Sequence, residues 1–315
     1  MQEFKNERAW FNLNLTPHAC RALLEDPGWY VLYIPPQELE ISRFERVFRW
    51  QEIAVSLLKK YCDVFFKTKK AAWEAPQLRY EILNESDDNF VPEYRFLIDE
   101  SAKEIITKLN EVKEAVANHQ LKQIEWGTFR SICFGPHLYQ PLIYLNDSLV
   151  DVRPVALNEG ERDFVLDLQK YYEHDRTFFE GKELYLLRNL SRGRGIGFFE
   201  AGNFYPDFIV WLLIGGKQYV SFVDPKGIRN LDGADDPKIS FFQTIKQLEI
   251  RLADPEVILN SFIIANTRYE QVDHWLTPGT GHKMSKADFE DRHVLFQNDD
   301  RTQYIGKMLN RILKD

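Results

Sequence analysis

The chain has 315 residues, of which 44% are hydrophobic and 14% aromatic, so it contains enough apolar side chains for a packed core and does not have the composition of a disordered protein. Its formal net charge of −8 argues against a simple DNA-cutting module, because clustered Lys and Arg side chains normally neutralise the phosphate backbone. The sequence shows neither an apolar run of about 18 residues nor an apolar signal segment, so we expect a soluble, cytoplasmic protein.

The cysteine and histidine patterns argue against the common zinc modules. The three cysteines, Cys20, Cys62 and Cys133, are far apart and form no Cys-x-x-Cys pair, so the sequence predicts reduced thiols rather than a zinc ribbon or a disulfide framework. His137 lies in an apolar stretch, and we interpret it as a hydrogen-bonded packing residue rather than as a ligand.

Residues 1–150 predict a separate connector region that is mostly helical or mixed. Ser42 and Glu45 have the spacing of a capping box, and apolar residues then recur at three- and four-residue steps, which is typical of an amphipathic helix. A short strand is predicted over 94–99, followed by a charged helix to about residue 118. This region contains no group of residues with an obvious catalytic chemistry.

The next element is an amphipathic helix that begins at Asn158. Glu161 follows Asn158 at the spacing of a capping box, and apolar residues then return at helical intervals. Because Glu161 lies one turn before Phe164 and Val165, we expect its carboxylate near the buried face of the helix.

A strand over 184–190 is followed by a loop rich in glycine and arginine. Arg188, Arg192 and Arg194 in this region are candidate DNA contacts, aided by Arg229 and by Lys217 and Lys238. An ordinary solvated loop explains the same residues equally well. If the arginines do contact DNA, they form a local basic patch on an otherwise acidic chain.

Residues 204–227 are the most informative part of the sequence. Two apolar runs hinged at Gly215-Gly216 predict an antiparallel hairpin. The first run begins after Pro206-Asp207, and the second ends in Asp224-Pro225-Lys226, so Asp207 and Asp224 are expected at the same end of the two strands. Since side chains alternate along a strand, Lys226 shares the face of Asp224.

Two carboxylates beside an ammonium group suit a metal site for phosphodiester hydrolysis. Asp207 and Asp224 would bind Mg²⁺, with Mn²⁺ able to substitute, and the backbone carbonyl of Pro225 could add a third oxygen. Lys226 could orient or deprotonate the attacking water, or balance charge in the transition state. Alternatively, the Pro-Asp and Asp-Pro-Lys-Gly segments are only the turn chemistry that borders strands.

The hairpin is followed by a predicted helix over 239–252 and a buried strand over 257–265. One apolar helical face is also predicted near the end of the chain, formed by Tyr304, Ile305, Met308, Leu309 and Ile312. We therefore divide the chain into a connector region (1–150), a core domain (151–270) and a C-terminal tail with an amphipathic helix (271–315).

The order helix, three strands, helix and strand, with Pro206-Asp207 and Asp224-x-Lys226 in the hairpin, resembles the PD-(D/E)XK nuclease family of restriction and repair endonucleases. This resemblance implies an α/β, restriction-endonuclease-like core (αβββαβ) and a magnesium-dependent DNA endonuclease activity. It also implies a further acidic metal ligand from the first helix, which would be Glu161. A capping box explains Glu161 almost as well.

A narrower resemblance starts at His137-Leu-Tyr-Gln-Pro-Leu-Ile-Tyr-Leu and continues from Pro154 into the helix after Asn158. These segments are similar to the C-terminal part of helicase–nuclease subunits, such as the Res subunit of type III restriction enzymes and DEAD/DEAH-box proteins of phage defence. The resemblance implies double-stranded DNA as substrate, a helicase or ATPase motor as partner, and a methyltransferase or other subunit of a restriction-modification or antiviral defence system.

The motor itself has no motif in this sequence. Gly279-Thr-Gly-His-Lys-Met-Ser285 differs from a phosphate-binding loop because His282 separates glycine from lysine. We therefore expect the motor either upstream in a larger protein or in a separate subunit, which would also supply most of the DNA affinity. A second hypothesis stays open, in which the chain is a catalytically silent nuclease fold for DNA binding or complex assembly. RNA cleavage has no feature in its favour.

Overall fold

The computed structural model describes the part of the chain after residue 47, with gaps. The described residues are 48, most of 51–69, 83–84, 86–118, 120, 123–190, 195–198, 204–231, 233–277 and 281–314. The chain divides into two compact units, Met1–Arg79 and Tyr80–Asp315. In the first unit, the described residues are helical, and the predicted helix start at Ser42 and Glu45 lies outside them.

The second unit begins with small sheets rather than with a helical bundle. Its first elements are β1 (Arg95–Ile98), α1 (Lys103–Ala117), β2 (Ile124–Trp126), β3 (Phe129–Ile132), β4 (Leu142–Leu145) and β5 (Val150–Arg153). β1 pairs with β5, and β2, β3 and β4 form an antiparallel sheet. The described part of the region predicted as a helical or mixed connector thus contains both helices and short strands, and β1 and α1 match the strand predicted over 94–99 and the charged helix that follows it. The strands β2 to β5 were not predicted, because strands this short carry too few alternating side chains to give a sequence pattern.

A five-stranded sheet forms the centre of the second unit. Its strands are β6 (Glu183–Arg188), β7 (Phe208–Ile214), β8 (Lys217–Lys226), β9 (Val257–Ala265) and β10 (Val294–Phe296). Their spatial order is β10-β9-β8-β7-β6, with antiparallel pairing among β6, β7 and β8 and parallel pairing among β8, β9 and β10. The predicted hairpin is confirmed, with Gly215 and Gly216 at positive φ in its turn.

Four further helices surround or extend the sheet. They are α2 (Glu159–His174), α3 (Pro237–Leu252), α4 (Lys286–Glu290) and α5 (Tyr304–Ile312). The chain order α2, β6, β7, β8, α3, β9 is the predicted succession of helix, three strands, helix and strand, and the fold class is α/β. The segment after residue 270, predicted as a tail, adds β10 to the sheet.

The sheet is covered on both faces, because its strands carry apolar side chains on both sides. Phe164 and Leu168 of α2 pack with Val210 and Val223 on one face, and α5 joins this cluster. Phe222 on the opposite face belongs to a second cluster with α3. The second cluster comprises Phe204, Ile209, Phe222, Phe241, Ile245, Leu248 and Leu259. Burial of each large side chain contributes about 1.5–3 kcal/mol to the free energy of folding, so these clusters hold the ends of the sheet in place.

The C-terminal helix is the amphipathic helix predicted from the sequence. Its buried residues are the five apolar residues predicted to form one face, Tyr304, Ile305, Met308, Leu309 and Ile312. Tyr304 in its first turn also donates a hydrogen bond from its hydroxyl to Asp167 of α2 at 2.9 Å. No helix in the described ranges combines the length and the apolar character needed to cross a membrane.

Candidate functional site

The hairpin brings Asp207 and Asp224 together at one end of the central sheet. Phe208, the first residue of β7, pairs with Val223 of β8 in the antiparallel register. The next residue outward on each strand is an aspartate, so Asp207 lies opposite Asp224. This is the arrangement predicted from the sequence. Asp224 is buried and Asp207 is partly buried, at the point where the apolar layers end.

The two carboxyls lie in contact, and this contact affects the protonation of Asp207. The pKa of Asp207 is raised far above the usual range of a carboxyl, first by burial, then by repulsion from Asp224 and by a hydrogen bond between the two side chains. The charge of Glu161 raises this pKa further, and Arg188 lowers it. These surroundings therefore favour the protonated form of the Asp207 carboxyl.

Lys226 is held beside this pair by two contacts. Its Nζ forms an ion pair with Oδ2 of Asp224, and it lies 5.0 Å from the centre of the Phe204 ring. The predicted location of Lys226 on the same face as Asp224 is thus observed. Lys238, at the start of α3, also lies over the Phe204 ring, at 6.0 Å from its centre. The Phe204 ring therefore contacts two cations at the edge of the acidic pair.

Glu161 is used by the capping box of α2. Its backbone N–H donates to Oδ1 of Asn158 at 3.0 Å, and its Oε2 accepts from the backbone N–H of Asn158 at 3.3 Å. Oε1 accepts from Nδ2 of Asn158, so both carboxylate oxygens have partners. Burial raises the pKa of Glu161, although Arg188 acts in the opposite direction. The capping role predicted for Glu161 is therefore confirmed.

Glu161 is within electrostatic range of the aspartate pair. The charge of Asp224 contributes to the raised pKa of Glu161. Yet within the described ranges no three His, Cys, Asp or Glu side chains are arranged closely enough to form a metal-binding group. The two observations are consistent, because a Coulomb interaction acts over longer distances than those at which carboxylates can bind the same metal ion. Asp207 and Asp224 are thus the acidic pair of the site.

Arg188 points inward, in contrast to its predicted role as a DNA contact. Its guanidinium donates to Oε2 of Glu161 at 3.3 Å and to the backbone carbonyls of Val155 and Ala156. The side chain is only 12% exposed. A buried carboxylate needs a nearby cation, and Arg188 supplies it for Glu161. Its guanidinium is therefore engaged with the protein itself.

The other predicted contact residues differ in their placement. Arg192 and Arg194 lie outside the described residues, and Arg229 is exposed just beyond the end of β8. Lys217 lies at the opposite end of β8 from Asp224. Pro225, whose carbonyl was a candidate ligand, is buried in β8 opposite Ile264 of β9.

His137 and Asn189 form hydrogen bonds to backbone groups next to the site. Nε2 of His137 accepts a hydrogen bond from the backbone N–H of Arg188 at 3.1 Å, and burial lowers the pKa of His137 to about 4. Its predicted role as a hydrogen-bonded packing residue is confirmed. Asn189 is buried and forms hydrogen bonds to Pro206. Nothing in the sequence distinguishes Asn189 from the many asparagines that occupy loops.

Comparison with protein-family models, with curated proteins and with solved structures found no match to this chain. A function must therefore be argued from the residues of the chain itself. The group formed by Asp207, Asp224 and Lys226 is the candidate site, because it combines the raised pKa of Asp207 with a cation at the edge of the central sheet.

Proposed function

We propose that this chain is a divalent-metal-dependent DNA endonuclease with a core of the PD-(D/E)XK type, which uses Mg²⁺ and accepts Mn²⁺. The observation that carries the proposal is the contact between Asp207 and Asp224, with Lys226 paired to Asp224. The order of α2, β6, β7, β8, α3 and β9 supports it, since the same succession forms the core of that family.

The donor set fits a hard divalent cation. Two carboxyls in contact repel each other when both are ionised, and this repulsion is one cause of the raised pKa of Asp207. A cation bound between them would relieve the repulsion. The available oxygens come from Asp207 and Asp224, with the Pro225 carbonyl as the proposed third donor. When bound, magnesium would polarise the phosphoryl group and lower the pKa of a coordinated water.

Lys226 has a separate role in this proposal. Its ammonium group is held against Asp224 and the Phe204 ring, so its position relative to the acidic pair is fixed before substrate arrives. From there it would orient the attacking water or stabilise the negative charge that develops on the phosphoryl group. Lys238 lies near enough to the same ring to add positive potential for a phosphate backbone.

The proposed substrate is double-stranded DNA, delivered by a helicase or ATPase motor of a restriction or phage-defence system. The motor would be fused to this chain or supplied as a separate subunit, with a methyltransferase or other defence protein as a further partner. The formal net charge of −8 supports such a division of labour, because the chain itself attracts DNA weakly.

A catalytically silent module for DNA binding or complex assembly is the second candidate. The use of Glu161 as a helix cap favours it, because the acidic pair then lacks a third carboxylate. Under this hypothesis, the nuclease-like core would bind DNA or a partner without cleaving. The two candidates differ in whether the aspartates are needed for phosphodiester hydrolysis.

The test is single-turnover cleavage of a plasmid by excess protein at low salt, with Mg²⁺ or Mn²⁺. Asp207→Asn and Asp224→Asn should each abolish most cleavage and leave DNA binding nearly unchanged, because they remove transition-state stabilisation rather than ground-state contacts. Asp167→Asn is the matched control, since Asp167 is a partly buried acid with a raised pKa on α2. Chelator should stop cleavage. Cleavage that persists in the double Asp207→Asn, Asp224→Asn variant would refute the proposal.

A further inference from the structure

Asn189 makes hydrogen bonds on both sides of Asp207. The last residue pair between β6 and β7 is Arg188 with Phe208, so Asn189 and Asp207 lie just beyond the ladder. The backbone N–H of Asn189 donates to the carbonyl of Asp207 at 2.8 Å. Its side-chain Nδ2 donates to the carbonyl of Pro206 at 2.7 Å. The two carbonyls that flank the Cα atom of Asp207 are thus both held by one residue.

The remaining polar capacity of the Asn189 side chain is also used. Nδ2 donates a second hydrogen bond to the carbonyl of Ile196 at 2.8 Å, and Oδ1 accepts from the backbone N–H of Ile196 at 2.8 Å. The side chain is 6% exposed. An amide of this length has two N–H donors and an acceptor oxygen, and all three have partners here. Aspartate lacks the donors, and serine supplies only one.

The backbone near Asn189 approaches its side chain closely enough to allow these contacts. A Cβ atom at Gly195 would lie 1.9 Å from the carbonyl oxygen of Leu190 and 2.5 Å from Oδ1 of Asn189. Only glycine permits so close an approach. Leu190 is in turn anchored through its backbone N–H, which donates to Oδ1 of buried Asn89 at 2.8 Å. Close packing at Gly195 and the anchored backbone of Leu190 therefore help to fix Asn189.

We infer that Asn189 is a positioning residue that fixes the backbone of Asp207 and so holds its carboxyl against Asp224. Two carboxyls that repel each other tend to separate unless the backbone beneath them is held. The ladder of β6 and β7 ends one residue too early to hold Asp207, and Asn189 supplies the missing hydrogen bonds. The inference rests on the proposed metal-dependent function, because it assigns the support of a metal ligand.

The expected consequence is a loss of metal affinity with the chemistry itself retained. Removing a hydrogen-bonding partner behind a ligand typically weakens metal binding by about 10–100-fold. Asn189→Ala should therefore weaken Mn²⁺ binding by at least about tenfold, as measured by isothermal titration on the full chain. Its cleavage rate should recover at high Mn²⁺ concentration, whereas Asp207→Asn should not recover at any concentration.

Asn89→Ala is the matched control. Asn89 is also buried and also anchors the loop, through Leu190, but it has no hydrogen bond to Pro206 or Asp207. It should lower the melting temperature and leave Mn²⁺ affinity unchanged. Asn189→Asp, which keeps the acceptor for Ile196 and loses both donors, should behave like Asn189→Ala. If Asn189→Ala does not fold, Asn189→Ser takes its place in the same comparison.

The outcomes separate this inference from the function on which it rests. Wild-type protein that binds no Mn²⁺ would overturn both. Wild-type binding with equal affinity in Asn189→Ala would overturn the positioning role alone. Equal losses of affinity in Asn89→Ala and Asn189→Ala would also overturn it, because the effect would then reflect loop stability. Loss confined to the Asn189 variants supports it, whether or not the wild type cleaves DNA.

Discussion

Among the described residues, two pairs of neighbouring acids differ in their surroundings. On α2, Asp163 lies 2.6 Å from Arg162 and 2.9 Å from Arg301, while Asp167 lies 3.3 Å from Arg301 and accepts from the Tyr304 hydroxyl. At the end of the central sheet, Asp207 and Asp224 contact each other, and Lys226 is paired with Asp224 alone. The nearby guanidinium of Arg188 is paired with Glu161.

This difference shows how a structural acidic pair can be told from a candidate binding site. Acids that stabilise a fold are neutralised by cations of the same protein, as Asp163 and Asp167 are. Within the described residues, Asp207 has no ion-pair partner, and burial and repulsion from Asp224 raise its pKa. A carboxyl without a cation of the same protein is a candidate ligand for an external one. Perturbed acids of this kind concentrate at functional sites.

The largest expected difference between the two pairs is the effect on cleavage of replacing the cation beside each pair by alanine. Lys226→Ala should reduce single-turnover cleavage by about 10²–10³-fold, because in the proposed function its ammonium would stabilise charge that develops in the transition state. Lys226→Arg should restore little, since the guanidinium is larger and does not act as a base. Arg301→Ala should leave cleavage unchanged and lower stability by roughly 1 kcal/mol. Equal cleavage by the wild type and both Lys226 variants would favour the silent-module hypothesis.

Lowering the pH should destabilise the fold through His137, which accepts a hydrogen bond from the backbone N–H of Arg188. The pKa of His137 is lowered from 6.5 to about 4 by burial, and neutral Nε2 accepts from the Arg188 backbone. The unfolded chain therefore binds more protons between these two values, and stability falls as pH decreases from about 6.5 to about 4, by about 3 kcal/mol. Urea unfolding at several pH values measures this loss. His137→Gln should remove most of the slope, and an unchanged slope would contradict the prediction.

Metal should stabilise one acidic pair and not the other. At a free Mn²⁺ concentration of about 100 times the dissociation constant, binding to the folded state adds about 2.7 kcal/mol to the free energy of unfolding. The double Asp207→Asn, Asp224→Asn variant should show no such gain, whereas Asp167→Asn should show all of it. Thermal unfolding with and without Mn²⁺ measures both. An equal gain in all three proteins would place the metal elsewhere.

The smallest expected effect concerns DNA affinity. The acidic net charge repels the phosphate backbone and Arg188 points inward, so a short duplex should bind with a dissociation constant of about 10⁻⁶ M or weaker. Affinity should decrease further with salt, as measured by fluorescence anisotropy. Tight binding and efficient cleavage by the isolated chain would mean that residues outside the described ranges carry a strong DNA-binding surface.

Much of the fold could be predicted from local patterns. The cap at Asn158, the hairpin at Gly215-Gly216 and the strand over 257–265 agree with the structure, because helical and strand periodicity and turn chemistry are local properties. The proximity of Asp207 and Asp224 also follows from local patterns, since a two-residue turn sets the register of its strands. Of the small strands up to residue 153, β1 agrees with the strand predicted over 94–99, whereas β2 to β5 were not predicted, because each is too short to show alternation.

The sequence by itself determined the elements of the core and the pairing of its two aspartates. Only the tertiary structure decided how charges and hydrogen bonds are distributed around them. It places Arg188 against Glu161 rather than in solvent, and it makes Asn189 hold both carbonyls beside Asp207. These contacts join residues that are far apart in the chain and leave no periodic pattern. They form because a buried carboxylate or carbonyl must find a partner, and the nearest partner is known only when the chain is folded.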